Sequence, residues 1–226
     1  MSAAPRGAPP GEVRIIGGRW RRSKLAVPAR PWLRPTPERV RETLFNWLGQ
    51  DLAGWRVLDA FAGSGALGFE AASRGAAEVV LLERDAPMCR ALEASRQRLD
   101  GQALRVECVD ALAWMRAAAP ALAGHFDLVL LDPPFGAALL PRALAAAMPL
   151  LAAGGWLYVE SGEALESLPA GLAPHRELLA GAVHAQLLRR TAAADRSCVT
   201  TVRDDCARLR RCRSTAPVDA RALHAG

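Results

Sequence analysis

The segment Asp132-Pro133-Pro134-Phe135 has the residue types and spacing of a site that handles an amine. Two successive prolines hold the backbone in an extended turn, so the Asp132 carboxylate and the Pro133 carbonyl become rigidly placed acceptors. A planar exocyclic amine offers two N–H donors to such a pair. Holding both draws the nitrogen lone pair out of conjugation with its ring and frees it to attack an electrophilic carbon. Pro134 keeps the turn stiff, and Phe135 adds a face on which a base can stack. The bland alternative, a proline-rich loop after a strand, is not excluded by the motif alone.

A second group lies upstream. Gly63, Gly65 and Gly68 spell G-x-G-x-x-G, and Glu83 follows 20 residues after Gly63. A turn without Cβ atoms lets a ligand approach the backbone at a helix N-terminus, and a carboxylate on the next strand takes ribose hydroxyls. NAD, FAD and S-adenosylmethionine would all be served. Asp59 discriminates among them: four residues before Gly63, it would repel a pyrophosphate but suits the ammonium and sulfonium of S-adenosylmethionine. Asp110 stands where an adenine amino group could be met. The expected cofactor set is Asp59, Phe61, Ala62, Gly63, Ser64, Gly65, Glu83, Arg84, Asp110, Ala111 and Asp132, and the expected chemistry is methyl transfer to nitrogen.

Short apolar runs must position these groups. Residues 56–60, 78–83, 104–109, 126–131 and 156–160 read as strands, with helical patterns from the glycine loop to Gly75 and over 86–99, 111–118 and 139–150. This alternation implies a parallel sheet with helices on both faces, whose ligands collect at the carboxyl ends of the strands. Asp59, Glu83, Asp110 and Asp132 all fall at such ends. After Gly162 the alternation stops, and 176–179 with 182–188 read as an antiparallel hairpin at the sheet edge. Upstream, 14–16, the turn Gly17-Gly18 and 25–27 read as a two-stranded flap carrying Arg19, Arg21, Arg22 and Lys24. Thr36 reads as a helix N-cap with Pro37 at the first helical position. Val40, Leu44, Trp47 and Leu48 then recur on one face of a helix that stops at Gly49.

A chain of 226 residues, 51% apolar, fits one α/β domain with appendages. No run approaches the roughly 18 apolar residues of a membrane span. The Ala-, Pro- and Gly-rich start lacks the apolar stretch of a signal peptide, so a cytoplasmic protein is expected. Five cysteines with no C-x-x-C pair indicate neither a disulfide framework nor a metal site; Cys198, Cys206, Cys212 and His224 match no common ligand spacing. The net charge of +6 is unevenly spread: residues 1–56 carry +7, 57–188 carry −6 and 189–226 carry +5. A mildly acidic body with two basic ends suits a cationic cofactor and a polyanionic partner. The expected organisation is a leader without fixed structure (1–12), a basic flap (13–35), a catalytic domain (36–190) and a tail without fixed structure (191–226).

Several longer stretches are more specific: Arg14-Ile15-Ile16-Gly17-Gly18, Leu33-Arg34-Pro35-Thr36, the run from Arg39 to Leu48, Leu58-Asp59-Ala60-Phe61-Ala62-Gly63-Ser64-Gly65-Ala66-Leu67-Gly68, and Asp132-Pro133-Pro134-Phe135. From about Arg14 to Arg190 the chain resembles the small-subunit ribosomal RNA guanine-N2 methyltransferase family, the RsmD type. The resemblance implies a Rossmann-like class I S-adenosylmethionine-dependent methyltransferase. Its seven-stranded sheet is mostly parallel with an antiparallel C-terminal hairpin. The substrate implied is a guanine of 16S RNA, in the 30S particle or an assembly intermediate, with the enzyme acting as a monomer and away from membranes. It also implies that Arg34 and Thr36 border the cofactor, and that Arg14, Arg19, Arg21, Arg22, Lys24, Arg34 and Arg39 meet RNA. Trp20 among the basic residues, Pro31-Trp32 before Leu33, and Ser95 depart from the family pattern.

Other readings keep part of this. The same fold could act on DNA adenine or cytosine, or on a protein glutamine, since the proline motif serves any planar amine. A nicotinamide or flavin oxidoreductase would use the glycines but leave Asp132 idle. A non-enzymatic RNA-binding scaffold would need neither.

Overall fold

A computed structural model describes residues 11–30, 36–134, 139–165 and 167–191. Nine strands and five helices alternate along them. β1 (Gly11–Arg14) and β2 (Lys24–Val27) form an antiparallel pair. Then come α1 (Glu38–Leu48), β3 (Arg56–Asp59), α2 (Ala66–Ser73), β4 (Glu78–Glu83), α3 (Ala86–Arg98), β5 (Leu104–Cys108), α4 (Ala111–Ala118), β6 (Phe126–Leu131), α5 (Leu139–Ala147), β7 (Leu151–Ser161), β8 (Leu172–Ala180) and β9 (Val183–Arg190). The last seven strands form one sheet in the order β5-β4-β3-β6-β7-β9-β8. β3 to β7 run parallel, and β9 inserts antiparallel between β7 and β8. The parallel sheet is the one expected from the alternation, and the seven strands with an antiparallel C-terminal hairpin are those of the class I methyltransferase fold that the resemblance implied.

Successive side chains of a strand point to opposite faces, and the buried residues sort accordingly. Val57, Leu81, Leu130 and Tyr158 join one core with the α1, α2 and α3 side chains, Phe69 and Met88 among them. Their neighbours Leu58, Leu82, Leu131 and Val159 join the other core with Leu112, Met115 and Leu144 from α4 and α5. Both faces are covered, so the central parallel strands are apolar over most of their length, while the edge strand β5 carries Arg105 and Glu107.

Four details differ from the sequence reading. The helix-opening residue is Pro37, at φ −55° and ψ 144°, and no side chain caps α1; Thr36 is turned elsewhere. Gly154-Gly155 lies inside β7, where the register with β6 slips between Phe126 and Leu128, so the glycines make a bulge within a longer strand. β8 begins at Leu172, four residues earlier than its apolar pattern suggests, because a register shift between Pro174 and Arg176 breaks the alternation. On α1 it is Phe45, fully buried, that fills the place read for the half-buried Trp47.

The N-terminal hairpin is no loose flap, and its first strand starts two residues before the expected boundary at 13. Ile16 and Gly17 donate their N–H groups to the Glu70 carboxylate at 2.8 and 2.7 Å. Arg19 N–H reaches the Ser73 carbonyl at 2.7 Å, and Trp20 N–H reaches Ser73 Oγ at 2.9 Å. Trp20 is buried and its ring lies 6.2 Å from that of Phe69. Behind them, Glu70 is fully buried within α2 and faces two buried arginines: Arg74 at 2.7 Å and Arg41 at 3.8 Å. The basic bend is therefore docked on the C-terminal end of α2.

Candidate functional site

Alternation explains why the strand-end acids converge. Asp59 follows Val57 by two residues, Glu83 follows Leu81, Asp132 follows Leu130, and each of the three apolar residues belongs to the same core. All three carboxylates thus point to the face covered by α1, α2 and α3. Asp59 and Asp132 flank the switch point between β3 and β6, the place where such sheets bind ligands. Together with the glycine loop they line a cavity of about 410 Å³.

Each residue has a local reason for its position. Asp59 is 2% exposed and accepts the Gly68 N–H at 3.0 Å. A Cβ on Gly68 would collide with Leu81 and crowd that carboxylate, so the third glycine is a packing requirement between α2 and the sheet. Gly65 caps α2 at φ 76°, a left-handed conformation, with Phe69 and Leu92 filling the space a Cβ would need. Glu83 accepts the Gly63 N–H at 2.9 Å through one oxygen and the Arg84 and Asp85 N–H groups, each at 2.8 Å, through the other. It clamps the glycine loop to the end of β4. Asp110 caps α4 by accepting the Ala113 N–H at 2.9 Å. Thr36, freed from helix capping, directs its hydroxyl at Asp132 Oδ2, 3.4 Å away.

Of the expected site residues, Thr36, Asp59, Phe61, Ala62, Gly63, Ser64, Glu83, Arg84, Asp110, Ala111, Asp132, Pro133 and Pro134 line this one cavity. Gly65 shapes the loop from behind. Arg34 and Phe135 lie outside the described residues, as do the leader up to residue 10 and the tail from residue 192. The described basic residues expected to meet RNA do not line the cavity. Arg14, Arg19, Arg21, Arg22, Lys24 and Arg39 are exposed, Lys24 pairing with Glu12 at 2.6 Å and Arg19 with Asp100 at 3.7 Å. The bend of the hairpin sits at the end of α2 remote from the glycine loop, about 12 Å along the helix at 1.5 Å per residue over its 8 residues.

The cavity is acidic. Among the described lining residues Asp59, Glu83, Asp110 and Asp132 face one base, Arg84. Burial pushes the Asp59 carboxyl up to about 7; the Gly68 N–H opposes this and the Glu83 charge reinforces it. Burial, and then the charges of Glu160 and Asp59, hold the Asp132 carboxyl well above the usual carboxylate range. A pyrophosphate would be repelled from such a lining, whereas a cation carrying an adenosine would be drawn in. The donor set and the Cβ-free loop therefore fit S-adenosylmethionine and do not fit a dinucleotide.

Sequence reasoning missed four residues. Glu160 is the next-to-last residue of β7, 3% exposed, and follows Tyr158 on the same face as the other acids. It closes a strand-end series that was already legible but was given no task. Tyr158 O–H donates to it at 2.8 Å. Arg41 and Glu70 are the buried ion pair under the hairpin; the signal was an acid in the middle of an otherwise apolar helix.

The chain is similar to known proteins. The family model described as Conserved hypothetical protein 95 matches residues 13–189. The "Ribosomal RNA small subunit methyltransferase D" of Escherichia coli K12 is 42% identical over 190 residues, 80% of this chain and 92% of that protein. Its Haemophilus influenzae namesake is 44% identical over 157 residues, 67% and 79% of the two chains. The solved structure of the Escherichia coli protein yhhF superposes with a TM-score of 0.71 at 39% identity, covering 80% of this chain and 99% of that one.

Proposed function

Because the chain belongs to the Conserved hypothetical protein 95 family, which its RsmD-type relatives share, we propose that it methylates the exocyclic N2 of a guanine in 16S ribosomal RNA, in the 30S particle or an assembly intermediate. It is a methyltransferase, and S-adenosylmethionine is its cofactor. The observation that supports the reading best is the meeting of Asp132-Pro133-Pro134 with Asp59 and the glycine loop in one acidic cavity.

When bound, the cofactor supplies a methyl group on a positively charged sulfur, an electrophilic carbon with a neutral leaving group. Asp59 and Asp132 place negative charge beside that cation, and Glu83 and Asp110 are the acceptors for its ribose and adenine. Asp132 and the Pro133 carbonyl hold the two amine protons, which fixes the nitrogen and loosens its lone pair from the ring. Buried Pro133 leaves the turn little freedom to reorient. Positioning of this kind contributes several kcal/mol to a two-substrate reaction. Asp132 then takes the proton that the methylated nitrogen sheds.

The direct test is transfer of labelled methyl from S-adenosylmethionine to 30S particles whose 16S RNA lacks guanine-N2 methylation, followed by mass spectrometry of the nucleosides. N2-methylguanine is expected. Label on adenine, cytosine or protein would redirect the substrate, and no label from folded, cofactor-binding protein would refute the reading.

The docked hairpin is the RNA-binding surface in this reading. Removing the charges of Arg19, Arg21 and Arg22 should weaken RNA binding and reduce the slope of log affinity against log salt by about 2–3, at roughly 0.7–0.9 for each phosphate no longer neutralised. A slope equal to the parent's would place the RNA elsewhere on the protein.

A further inference from the structure

Three side chains from three adjacent strands stack on one another at the antiparallel edge of the sheet. The guanidinium carbon of Arg189 in β9 lies 4.1 Å from the ring centroid of Trp156 in β7. The His175 ring of β8 lies 4.7 Å from the same indole, tilted by 58°. Arg189 is the direct cross-strand partner of Trp156. The bulge between Pro174 and Arg176 turns His175 onto their face. Trp156 is half-buried against the core that α1, α2 and α3 cover, whereas Arg189, His175 and the neighbouring Arg176 are exposed.

Internal packing leaves much of this stack unused. Among the described residues Arg176 and Arg189 make no side-chain ion pair, and Glu177, the nearest acid in sequence, faces His184 at 3.6 Å instead. Partial burial, and then the charges of Arg176 and Arg189, lower the His175 imidazole below its ordinary value, so its ring is uncharged at neutral pH. Two flat rings beside a guanidinium plane are the composition that receives an unstacked base: the base lies on a ring or on the guanidinium, and the N–H edge meets the phosphate.

The place of the stack in the fold favours the same partner. Trp156 pairs with Leu128, and Leu128 pairs with Val57 near the start of β3. The stack therefore lies at the amino ends of the parallel strands, the end to which α2 returns and at which the basic bend is docked on Ser73. The bend packs its Trp20 into the same core that Trp156 borders. Arg19, Arg21 and Arg22 thus share one end and one face of the sheet with Arg176 and Arg189. A polyanion lying along that end meets both groups.

We propose that Trp156, His175 and Arg189 form a second RNA contact, which takes an unpaired base by stacking and its phosphate through Arg189. This rests on the RNA methyl-transfer reading. The contact adds affinity without reading the base, because every base offers a π face.

Two measurements on the full chain test it. In the first, tryptophan emission is followed while a mixed-sequence single-stranded RNA is added to the parent and to Trp156→Leu, which keeps an apolar side chain against the core. The parent should be quenched, and the variant should lose part of that quench. In the second, affinity for undermethylated 30S particles is measured over a range of salt. Trp156→Leu and His175→Ala should each weaken it on the order of tenfold, with the salt slope unmoved because a stack releases no counterion. Arg189→Gln should weaken it and also lower the slope by roughly 0.7–0.9, the value of one phosphate.

His175→Ala and Arg189→Gln alter exposed side chains away from the cavity, so S-adenosylmethionine affinity and Tm should stay parental. They keep the test decisive if Trp156→Leu does not fold. Parental affinity for particles and free RNA in both overturns the proposal. Lost particle binding with parental affinity for free RNA places a ribosomal protein on this face and overturns it equally. A parent that transfers no methyl to RNA refutes the methyl-transfer reading instead, and the Trp156 quench then decides the RNA contact by itself.

Discussion

Asp132→Ala is expected to slow methyl transfer by roughly 10²–10⁴-fold, the span associated with losing a positioned proton acceptor, while S-adenosylmethionine still binds. The reason lies in what each group touches. In the proposed reading the glycine loop, clamped by Glu83 through the Gly63 N–H, and Asp59 behind it would provide most of the cofactor's surroundings, and neither depends on Asp132. What disappears is the fixed acceptor beside Pro133 and the first station for the proton. An effect made only in the transition state lowers kcat and kcat/KM together. Asp132→Asn keeps an acceptor of the same shape but cannot take the proton, so it should fall between alanine and the parent. Single-turnover rates with calorimetric affinities would check this; an alanine variant that turns over at the parental rate removes Asp132 from the mechanism.

Glu70→Ala should cost about 3–5 kcal/mol of stability, the range for removing one partner of a buried ion pair. Glu70 is fully buried, holds Arg74 at 2.7 Å, stands 3.8 Å from Arg41 and accepts two backbone N–H groups of the hairpin. Alanine would leave two arginines, 3% and 8% exposed, without the one carboxylate that faces both. It would also strip the Ile16 and Gly17 amides of their acceptor. Urea unfolding should therefore show a lowered midpoint with little change in slope. Hydrogen exchange at residues 15–23 should accelerate more than in the central strands. An unaltered midpoint would mean that water replaces the carboxylate without loss.

The parallel half of the fold could be read from the chain because its central strands are apolar on both faces and an acid stands at or just beyond each strand end. The period of two then dictates where Asp59, Glu83 and Asp132 point. The antiparallel edge was read only in part: β8 is largely exposed and slips register between Pro174 and Arg176, so only its second half, 176–179, showed as a strand. Thr36 was misread because a threonine before proline is a good cap in isolation. Only the tertiary placement of Asp132 competes for its hydroxyl. Glu160 escaped notice because Asp132, which it adjoins one step beyond the Leu131–Val159 pair, belongs to a different strand. The hairpin's docking depended on Glu70, and no local pattern announces that a buried acid is waiting for two distant amides.

That docking sets a distance. The glycine loop opens α2 and Ser73 closes it, so the cavity and the basic bend are opposite ends of one short rod and cannot drift relative to each other. A substrate that touches both is measured by that rod. A free nucleoside or a very short oligonucleotide reaches a single end and forgoes the tethering gain of a second attachment. Discrimination by length would then arise from a fixed ruler in the scaffold, without a single base having been read.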